Sequence, residues 1–386
     1  MVDIFIGILA YSIMALVLWL LAHEIAYPSD LRVSCPKTPL ITQWPMVISI
    51  VLFGIFYGIR YDTGADNITY IEFFESLKRG VIQRDSLEIG YNVISHTFAF
   101  FDVHFSVFIG FWGALMLGLI YSTLKHEKKL LPYVALFIIL GPFFLTMANT
   151  MRQCVALCFF AYSLQFVAEK KLGKYLSCIF IAFLFHKSAL LLIPFYYLLR
   201  WMFIPKSQWC ALIVFIAFTI VGNTPTWVEN LNNLSEILML LNYEDYANNL
   251  EQLAQSEWSI EWGPSRIGTW LLMASTITLF ISISKKFTLP LKFELYFRCF
   301  YWGACFYNLM INTDQVFLRP FAYFYDFYII IVPFCMYYLK SYKSILLSVS
   351  YLILACFYSI YMVIHGILSH SSFEVYKFFF LADYQL

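Results

Sequence analysis

The chain has 386 residues, of which 61% are hydrophobic, 20% aromatic and 13% charged. Soluble domains carry about 25% charged residues, so the composition excludes an ordinary soluble enzyme, and the many aromatic residues exclude a disordered chain. The formal net charge of +1 predicts no nucleic-acid partner. We therefore expect an all-α, polytopic integral membrane protein.

Apolar stretches long enough to cross a membrane recur along the chain, since a spanning helix needs roughly 20 apolar residues. In chain order they are 3–22, 41–58, 103–123, 131–147, 151–168, 208–222, 265–284, 293–311, 319–339 and 344–363. The stretch 175–199 is interrupted by His186-Lys187-Ser188. Its two ends are basic, which predicts two half-length helices that turn at His186. Broken backbone is tolerated in a membrane where protein or a cavity surrounds it, so we expect about twelve membrane segments in one domain, residues 1–386.

Basic residues predict the orientation of these segments, because cytoplasmic loops are enriched in Lys and Arg. The basic loops are 23–40, 124–130, 169–174, 200–207, 285–292 and 340–343. The stretch from Ser207 to Ser265 has no Lys or Arg and is acidic, so it is predicted to face outward, as are both termini. Residues 223–264 have helical apolar spacing. They are interpreted as an outward amphipathic cover, or as a lid in which Trp258 and Trp262 stack on sugar rings.

In this orientation several cations fall on the outer face, where they should be scarce: Arg60, Arg152, His186, Lys187 and Arg319. Beside Arg60, the carboxylates of Asp62 and Asp66 predict a polar site that Arg60 organises. The alternative is a solvated turn in which Asp62 or Asp66 caps the next helix.

Arg152, followed by Gln153, begins a new span, and two roles are open for it. Its guanidinium can satisfy the last carbonyls of the preceding helix, or it can bind a phosphate at a helix N-terminus. Arg319 precedes Pro320, which predicts that Arg319 stands at the mouth of the following helix. The aromatic run after Pro320 is interpreted as packing, and Arg298 as the helix-face partner of Glu294.

Cations gathered on the outer face of an apolar chain suit an anionic headgroup whose lipid tail stays in the bilayer. A lipid pyrophosphate that carries a glycan fits, because cations stabilise the departing diphosphate and glycosyl transfer then needs one base. A histidine suits that base, since its unperturbed pKa lies near 6.5. The sequence has no Gly-rich phosphate loop and no metal-ligand spacing, so no cofactor is predicted.

Several motifs resemble the EpsG-like branch of the Wzy-type bacterial O-antigen and polysaccharide polymerases. They are Arg60-Tyr61-Asp62-Thr63-Gly64-Ala65-Asp66, Glu88-Ile89-Gly90-Tyr91, Met151-Arg152-Gln153, Phe185-His186-Lys187-Ser188-Ala189 and Leu318-Arg319. Two departures are Asn67, where an aromatic residue is expected, and the absence of a proline before Tyr376-Lys377, which predicts a weak match at the tail.

The resemblance implies a GT-C-like glycosyltransferase of the bacterial inner membrane. It would join undecaprenyl-pyrophosphate-linked repeat units at the periplasmic face, release undecaprenyl pyrophosphate and work with a chain-length-regulating protein. We prefer His186 as the base over Asp66 and Asp62. The residues predicted to bind pyrophosphate are Arg152, Arg319, Arg60, Gln153 and Lys187, and those predicted to bind sugar are Tyr70, Glu88, Tyr91, Trp258 and Trp262.

Three other functions remain open from the sequence. A flippase for the same lipid-linked unit would need charged residues open to both faces of the membrane. An O-antigen ligase shares the chemistry and differs in its acceptor. A membrane acyltransferase would place its histidine toward a cytoplasmic acyl donor.

Overall fold

The computed structural model describes residues 2–28, 43–64, 66–81, 87–227, 262–312 and 315–339, and short C-terminal pieces at 349–351, 353–355 and 376–381. These residues form helices and turns, and the one β-type pairing among them is an isolated bridge between Arg60 and Phe378. The predicted all-α class is confirmed. Trp258 and most of the predicted segments 223–264 and 344–363 lie outside the described residues.

Five described helices are long and apolar enough to cross a membrane, or six spans if one bent helix pair is included. The chain is thus a multi-pass membrane protein, and the larger number of segments expected from the sequence stays a prediction. Contacts divide the chain into two compact units, residues 1–196 with 336–386 and residues 197–335. The single domain proposed over 1–386 also stays a prediction.

The first unit is built from helices joined mostly by short turns. They are α1 (Val2–Ala26), α2 (Trp44–Gly58), α3 (Asn67–Lys78), α4 (Ile89–Phe100), α5 (Phe105–Thr123), α6 (Leu131–Leu140), α7 (Phe143–Asn149), α8 (Met151–Ala168) and α9 (Leu172–Phe185). Small residues let α2 and α5 pack closely, as is common between membrane helices. A Cβ on Gly58 would collide with the backbone oxygen of Ser106, and one on Gly110 would lie 2.6 Å from that of Gly54.

The span predicted at 131–147 is not one straight helix. A 3₁₀ turn, Lys128–Leu130, leads into α6, and α7 follows with a bend of 60°. Gly141 is extended at the bend and Pro142 precedes α7. Because proline has no N–H to donate and disfavours helical backbone in the residue before it, the helix stops here.

The predicted break at His186 is confirmed. Helix α9 ends at Phe185, His186 is extended, and a 3₁₀ segment, Lys187–Leu192, leads to α10 (Phe195–Trp201). The Tyr175 hydroxyl donates to the Leu192 carbonyl at 2.6 Å. Seventeen residues of straight helix would separate these groups by about 25 Å, so the chain turns back on itself.

Two shorter helices lie between the first spans. The amphipathic segment predicted around 71–77 is α3, which buries Ile71 and Phe74. Helix α4 was not predicted, because its twelve residues are too few for a span and polar side chains interrupt its apolar pattern.

The second unit contains α11 (Gln208–Gly222), α12 (Pro264–Lys286), α13 (Leu291–Met310), α14 (Gln315–Tyr325) and the greater part of α15 (Tyr328–Leu339). Helix α13 packs against α11 and α14. Pro320 lies inside α14 and not in its first turn, so the predicted position of Arg319 at a helix mouth is wrong. The aromatic residues that follow serve packing, as expected: Tyr323 and Phe327 are buried, and Tyr325 stacks on Tyr307 at 4.4 Å.

Candidate functional site

Several helix ends and loops meet at one end of the first unit. The turn after α2 packs on the junction of α7 and α8, because a Cβ on Gly64 would lie 2.6 Å from Oδ1 of Asn149. The start of α4 packs on the end of α9, because a Cβ on Gly90 would lie 2.8 Å from the backbone oxygen of Leu184. These close approaches bring the motif residues of four separate segments to the same region.

Glu88 is the centre of this region. Its carboxylate is 7% exposed, and its Oε2 forms an ion pair with Nη1 of Arg152. Its Oε1 lies 3.3 Å from Nδ1 of His186 and accepts from the backbone N–H of Lys187 at 3.4 Å. Glu88 therefore joins residues that are 64 to 99 positions away in the chain.

The charge of Glu88 is stabilised by these partners. Burial by itself raises the pKa of Glu88, but the His186 contact and the positive charge of Arg152 outweigh it and lower that pKa to about 2. Glu88 is thus a carboxylate at neutral pH. Because both of its oxygens are engaged and it is buried, its position does not support the predicted sugar-binding role.

His186 stands at the break between α9 and the following 3₁₀ segment, where its side chain is 22% exposed. The 3.3 Å approach of its Nδ1 to Glu88 is a close polar contact and not a well-aligned hydrogen bond. A carboxylate beside Nδ1 favours the proton on that nitrogen and leaves Nε2 with its lone pair. The geometry suits a histidine oriented by a carboxylate.

Arg152 makes contacts that neither of the two expected roles included. Its guanidinium is 29% exposed, forms the ion pair with Glu88 and lies with Cζ 5.5 Å from the centre of the Tyr91 ring. Tyr91 is 1% exposed and stacks on Trp112 at 5.3 Å, so its ring packs against the Arg152 guanidinium. Because the ring is buried, its position does not support the predicted sugar-binding role. Arg152 lies in the first turn of α8, and its guanidinium contacts Glu88 and the Tyr91 ring, not the last carbonyls of α7. Its predicted binding of a phosphate stays a prediction.

Tyr70 extends the cluster toward Asp66. Its ring meets the Tyr91 ring edge-on at 6.4 Å, and the charges of Arg152 and Asp66 both act on its phenol. Burial raises the pKa of Tyr70 in spite of the nearby Arg152, so the phenol stays protonated at neutral pH.

Arg60 holds a backbone turn and does not organise the two aspartates as predicted. The side chain is fully buried, and its guanidinium donates to the carbonyls of Tyr57 at 2.6 Å and Thr63 at 3.3 Å. The turn can close over the guanidinium because Asp62 and Gly64 both have positive φ, at 50° and 93°. A buried Arg60 serves the loop structure and is not exposed to a pyrophosphate.

The same turn is clasped by the C-terminal piece 376–381. Nζ of Lys377 lies 2.5 Å from Oδ2 of Asp62, and the backbone N–H of Tyr61 donates to the carbonyl of Lys377 at 2.9 Å. Tyr376 is buried, stacks on Phe56 at 4.4 Å and hydrogen-bonds the Phe56 carbonyl through its hydroxyl. Asp62 is thus engaged in an ion pair.

The remaining predicted residues lie in varied positions. Asp66 is exposed at the N-cap position of α3, as in the alternative interpretation of this turn, although its side chain makes no capping hydrogen bond. Gln153 is buried in α8, whereas Lys187 is exposed beside His186. Arg319 is exposed on α14 of the second unit.

The second unit carries a polar group that the sequence reading missed. Arg266, at the start of α12, donates through Nη2 to Oδ1 of Asn223 at 2.7 Å, and its Cζ lies 5.0 Å from the centre of the Trp262 ring. Asn312 donates to the Gly222 carbonyl at 2.7 Å. Trp262, predicted to bind sugar, is 40% exposed beside this arginine.

Two sets of side-chain contacts in the first unit were not predicted from the sequence. The role of Glu88 as a link between Arg152 and His186, and of Lys377 as the partner of Asp62, depends on contacts between distant segments. The signal available in the sequence was the motif Glu88-Ile89-Gly90-Tyr91, which marks Glu88 but not its partners. In the described part of the chain, no three His, Cys, Asp or Glu side chains are placed to hold a metal ion.

The fold and site define a multi-pass helical membrane protein in which a buried Glu88 contacts a partly exposed Arg152 and His186 at one end of a helical unit. The chain belongs to the EpsG family, whose model matches residues 43–380. The resemblance seen in the motifs is confirmed, and the matched region also includes Tyr376 and Lys377, where a weak match was expected. Membership supports a polysaccharide-polymerase type of role in the membrane. Comparisons with curated proteins and with solved structures found no significant match.

Proposed function

We propose that this protein is an inner-membrane polysaccharide polymerase that joins undecaprenyl-pyrophosphate-linked oligosaccharide repeat units by glycosyl transfer. It acts at the periplasmic face and releases undecaprenyl pyrophosphate. O-antigen units are the proposed substrate. The observation that carries the proposal is the buried Glu88 carboxylate, which joins the cation Arg152 and the half-buried His186.

His186 is the proposed general base. With Glu88 at Nδ1, the Nε2 lone pair accepts the proton of the acceptor hydroxyl while the acceptor oxygen bonds to the anomeric carbon of the donor. The bond between that carbon and the pyrophosphate oxygen breaks, and the electron pair leaves with the lipid diphosphate. Glu88 is a positioning residue in this scheme, because it orients His186 and stabilises the imidazolium that forms.

Arg152 is the proposed binder of the departing diphosphate. The pyrophosphate-binding role of Arg319, an exposed arginine of the second unit, stays a prediction from the sequence. One Nη1 donor of Arg152 is used by Glu88. An arginine has five N–H donors, so others remain for phosphate oxygens on its exposed side. Asp66, exposed and near Tyr70, is kept as the alternative base, whereas the ion pair of Asp62 with Lys377 disfavours Asp62.

The direction of the helices supports an outward-facing site. Helices α5 and α8 begin near the cluster, and their 19 and 18 residues carry the chain about 27 Å away. Their far ends lead into the basic loops 124–130 and 169–174. Basic loops favour the cytoplasm, and this supports the proposal that the cluster lies on the opposite side of the membrane. A chain-length regulator in the same membrane is the proposed partner.

The test is the length of polymer made by cells that lack the chromosomal copy and carry Arg152→Ala, Arg319→Ala or His186→Ala. We expect the polysaccharide ladder on a gel to collapse to single capped units at normal protein level. Arg79→Ala is the matched control, because Arg79 is an exposed arginine that follows α3. Full-length ladders from all three site variants would refute the proposal.

The same experiment separates the competing functions. A flippase defect would leave repeat units unassembled inside the cell, and a ligase defect would leave polymer on its lipid carrier. A polymerase defect still displays single units on the cell surface.

A further inference from the structure

The second unit contains a cavity that the proposed reaction does not use. Its volume is about 550 Å³, and it lies where the segment 200–206, the end of α12 and the start of α13 meet. The predicted cytoplasmic loops 200–207 and 285–292 both contribute to its wall, so they lie at the same end of this unit. Arg266 and Asn223 lie at the opposite ends of α12 and α11.

The polar part of the wall is strongly cationic. Four basic side chains line the cavity, Arg200, Lys206, Lys285 and Arg298, against one acid, Glu294. Lys206 and Lys285 are exposed. The predicted pair of Arg298 with Glu294 is present at 4.0 Å, and with four basic residues and one acid the wall keeps an excess of three positive charges.

Hydrogen bonds hold the wall in place. Nη1 of Arg298 donates to the carbonyls of Leu199 at 2.6 Å and Arg200 at 3.0 Å, at the end of α10. Gln208, at the start of α11, donates to the Thr278 carbonyl of α12 at 3.1 Å. These hydrogen bonds hold the helix ends that carry the basic side chains, so the cations do not lie on a long loop.

The apolar part of the wall suits hydrocarbon. Phe280 and Phe297 stack at 3.9 Å on the cavity wall. Trp201 and Phe203 line the cavity and are 85% and 67% exposed, which is typical of aromatic residues at a membrane interface. A ligand that fills this cavity would have an anionic head and an apolar body.

We propose that this cavity binds the phosphate headgroup of an anionic phospholipid. The phosphate contacts Lys206 and Lys285, and an acyl chain lies along Phe280 and the exposed aromatic side chains. Basic pockets between helices on the cytoplasmic side favour such lipids, because lysines near the surface attract anionic headgroups. The cavity lies in the second unit and binds a different ligand from the Glu88 cluster. The lipid-binding proposal therefore does not depend on the proposed glycosyl transfer.

The test uses the full chain in detergent, titrated with phosphatidylglycerol or with phosphatidylcholine, with bound lipid counted by native mass spectrometry. We expect the wild-type protein to retain phosphatidylglycerol and not phosphatidylcholine. The variant Lys206→Gln with Lys285→Gln should bind phosphatidylglycerol about twenty-five-fold more weakly, at roughly fivefold per lysine. Higher salt should also weaken the binding.

The matched control is Lys170→Gln with Lys174→Gln, which removes two exposed lysines from a basic loop of the first unit. It should retain phosphatidylglycerol as the wild type does, and the unfolding midpoints of both double variants should agree. Equal lipid retention by the Lys206/Lys285 variant and the wild type would overturn the proposal. Displacement of phosphatidylglycerol by millimolar inorganic phosphate would also overturn it, because the site would then recognise a free anion.

Discussion

Replacing Glu88 by glutamine tests the link between Arg152 and His186. The change keeps the size of the side chain and removes its charge. Arg152 loses its ion-pair partner, and Nδ1 of His186 loses the carboxylate 3.3 Å away. We expect Glu88→Gln to insert and fold but to assemble polymer slowly.

The structure sets the scale of the effect. A pKa of about 2 in place of the ordinary 4.5 corresponds to about 3 kcal/mol of preference for the Glu88 carboxylate over the acid. Arg152 and His186 are partly exposed, so water recovers some of this energy when the carboxylate is lost. A remaining 2–3 kcal/mol lowers the rate about 30- to 150-fold if the contact acts in the transition state.

The assay compares ladder length in cells at equal protein level with chain growth from purified protein and lipid-linked units. Glu75→Gln is the matched control, because Glu75 lies outside the Glu88 cluster and its pair with Lys78 is long, at 3.8 Å, so the change should have little effect on polymer assembly. Glu88→Asp keeps the charge, so it should recover part of the activity. A normal ladder and rate from Glu88→Gln would refute the assigned role of Glu88, and equal losses in Glu88→Asp and Glu88→Gln would refute the role of its charge.

Three further outcomes are expected. Gly90→Ala should lower the unfolding midpoint in detergent and shorten the ladder. The new Cβ would lie 2.8 Å from the backbone of α9, and overpacking of this kind costs about 1–3 kcal/mol. Gly173→Ala is the control, because the space around Gly173 is open, and it should change neither the midpoint nor the ladder. Tyr376→Ala should cost about 3–5 kcal/mol of stability, visible as lower protein level, since the ring is buried against α2; an unchanged unfolding midpoint would contradict the clasp. The depressed pKa of Glu88 contributes stability that is complete above about pH 4.5 and is lost as the pH falls toward 2, so near-UV circular dichroism of the wild type should change more across that window than that of Glu88→Gln.

The helices of this protein were largely predictable from the sequence. The apolar stretches at 103–123 and 151–168 correspond to α5 and α8 within two residues. The break at His186 was predictable too, because a polar triplet inside an apolar run cannot continue a lipid-facing helix without cost. The bend at Gly141-Pro142 carried a local signal, the proline, that the span prediction did not use.

The pairing of the site residues was not predictable in the same way. Glu88 reaches partners 64 and more residues away, and Asp62 pairs with Lys377, 315 residues away. Spacing in the sequence suggested that Arg60 organises its neighbouring aspartates. Instead, the turn with positive φ at Asp62 and Gly64 brings the Thr63 carbonyl to the guanidinium, which also donates to the Tyr57 carbonyl in α2.

The sequence by itself determined where the chain is apolar enough to form helices and where those helices end, because hydropathy, proline and glycine act over a few neighbouring residues. The tertiary structure decided which ends meet. Which helix ends meet depends on close packing, such as that of Gly90 against α9. A buried charge then pairs with the group of opposite charge that this packing places beside it. Arg152 is therefore paired with Glu88, although the residues next to Arg152 suggested either the end of the preceding helix or a phosphate.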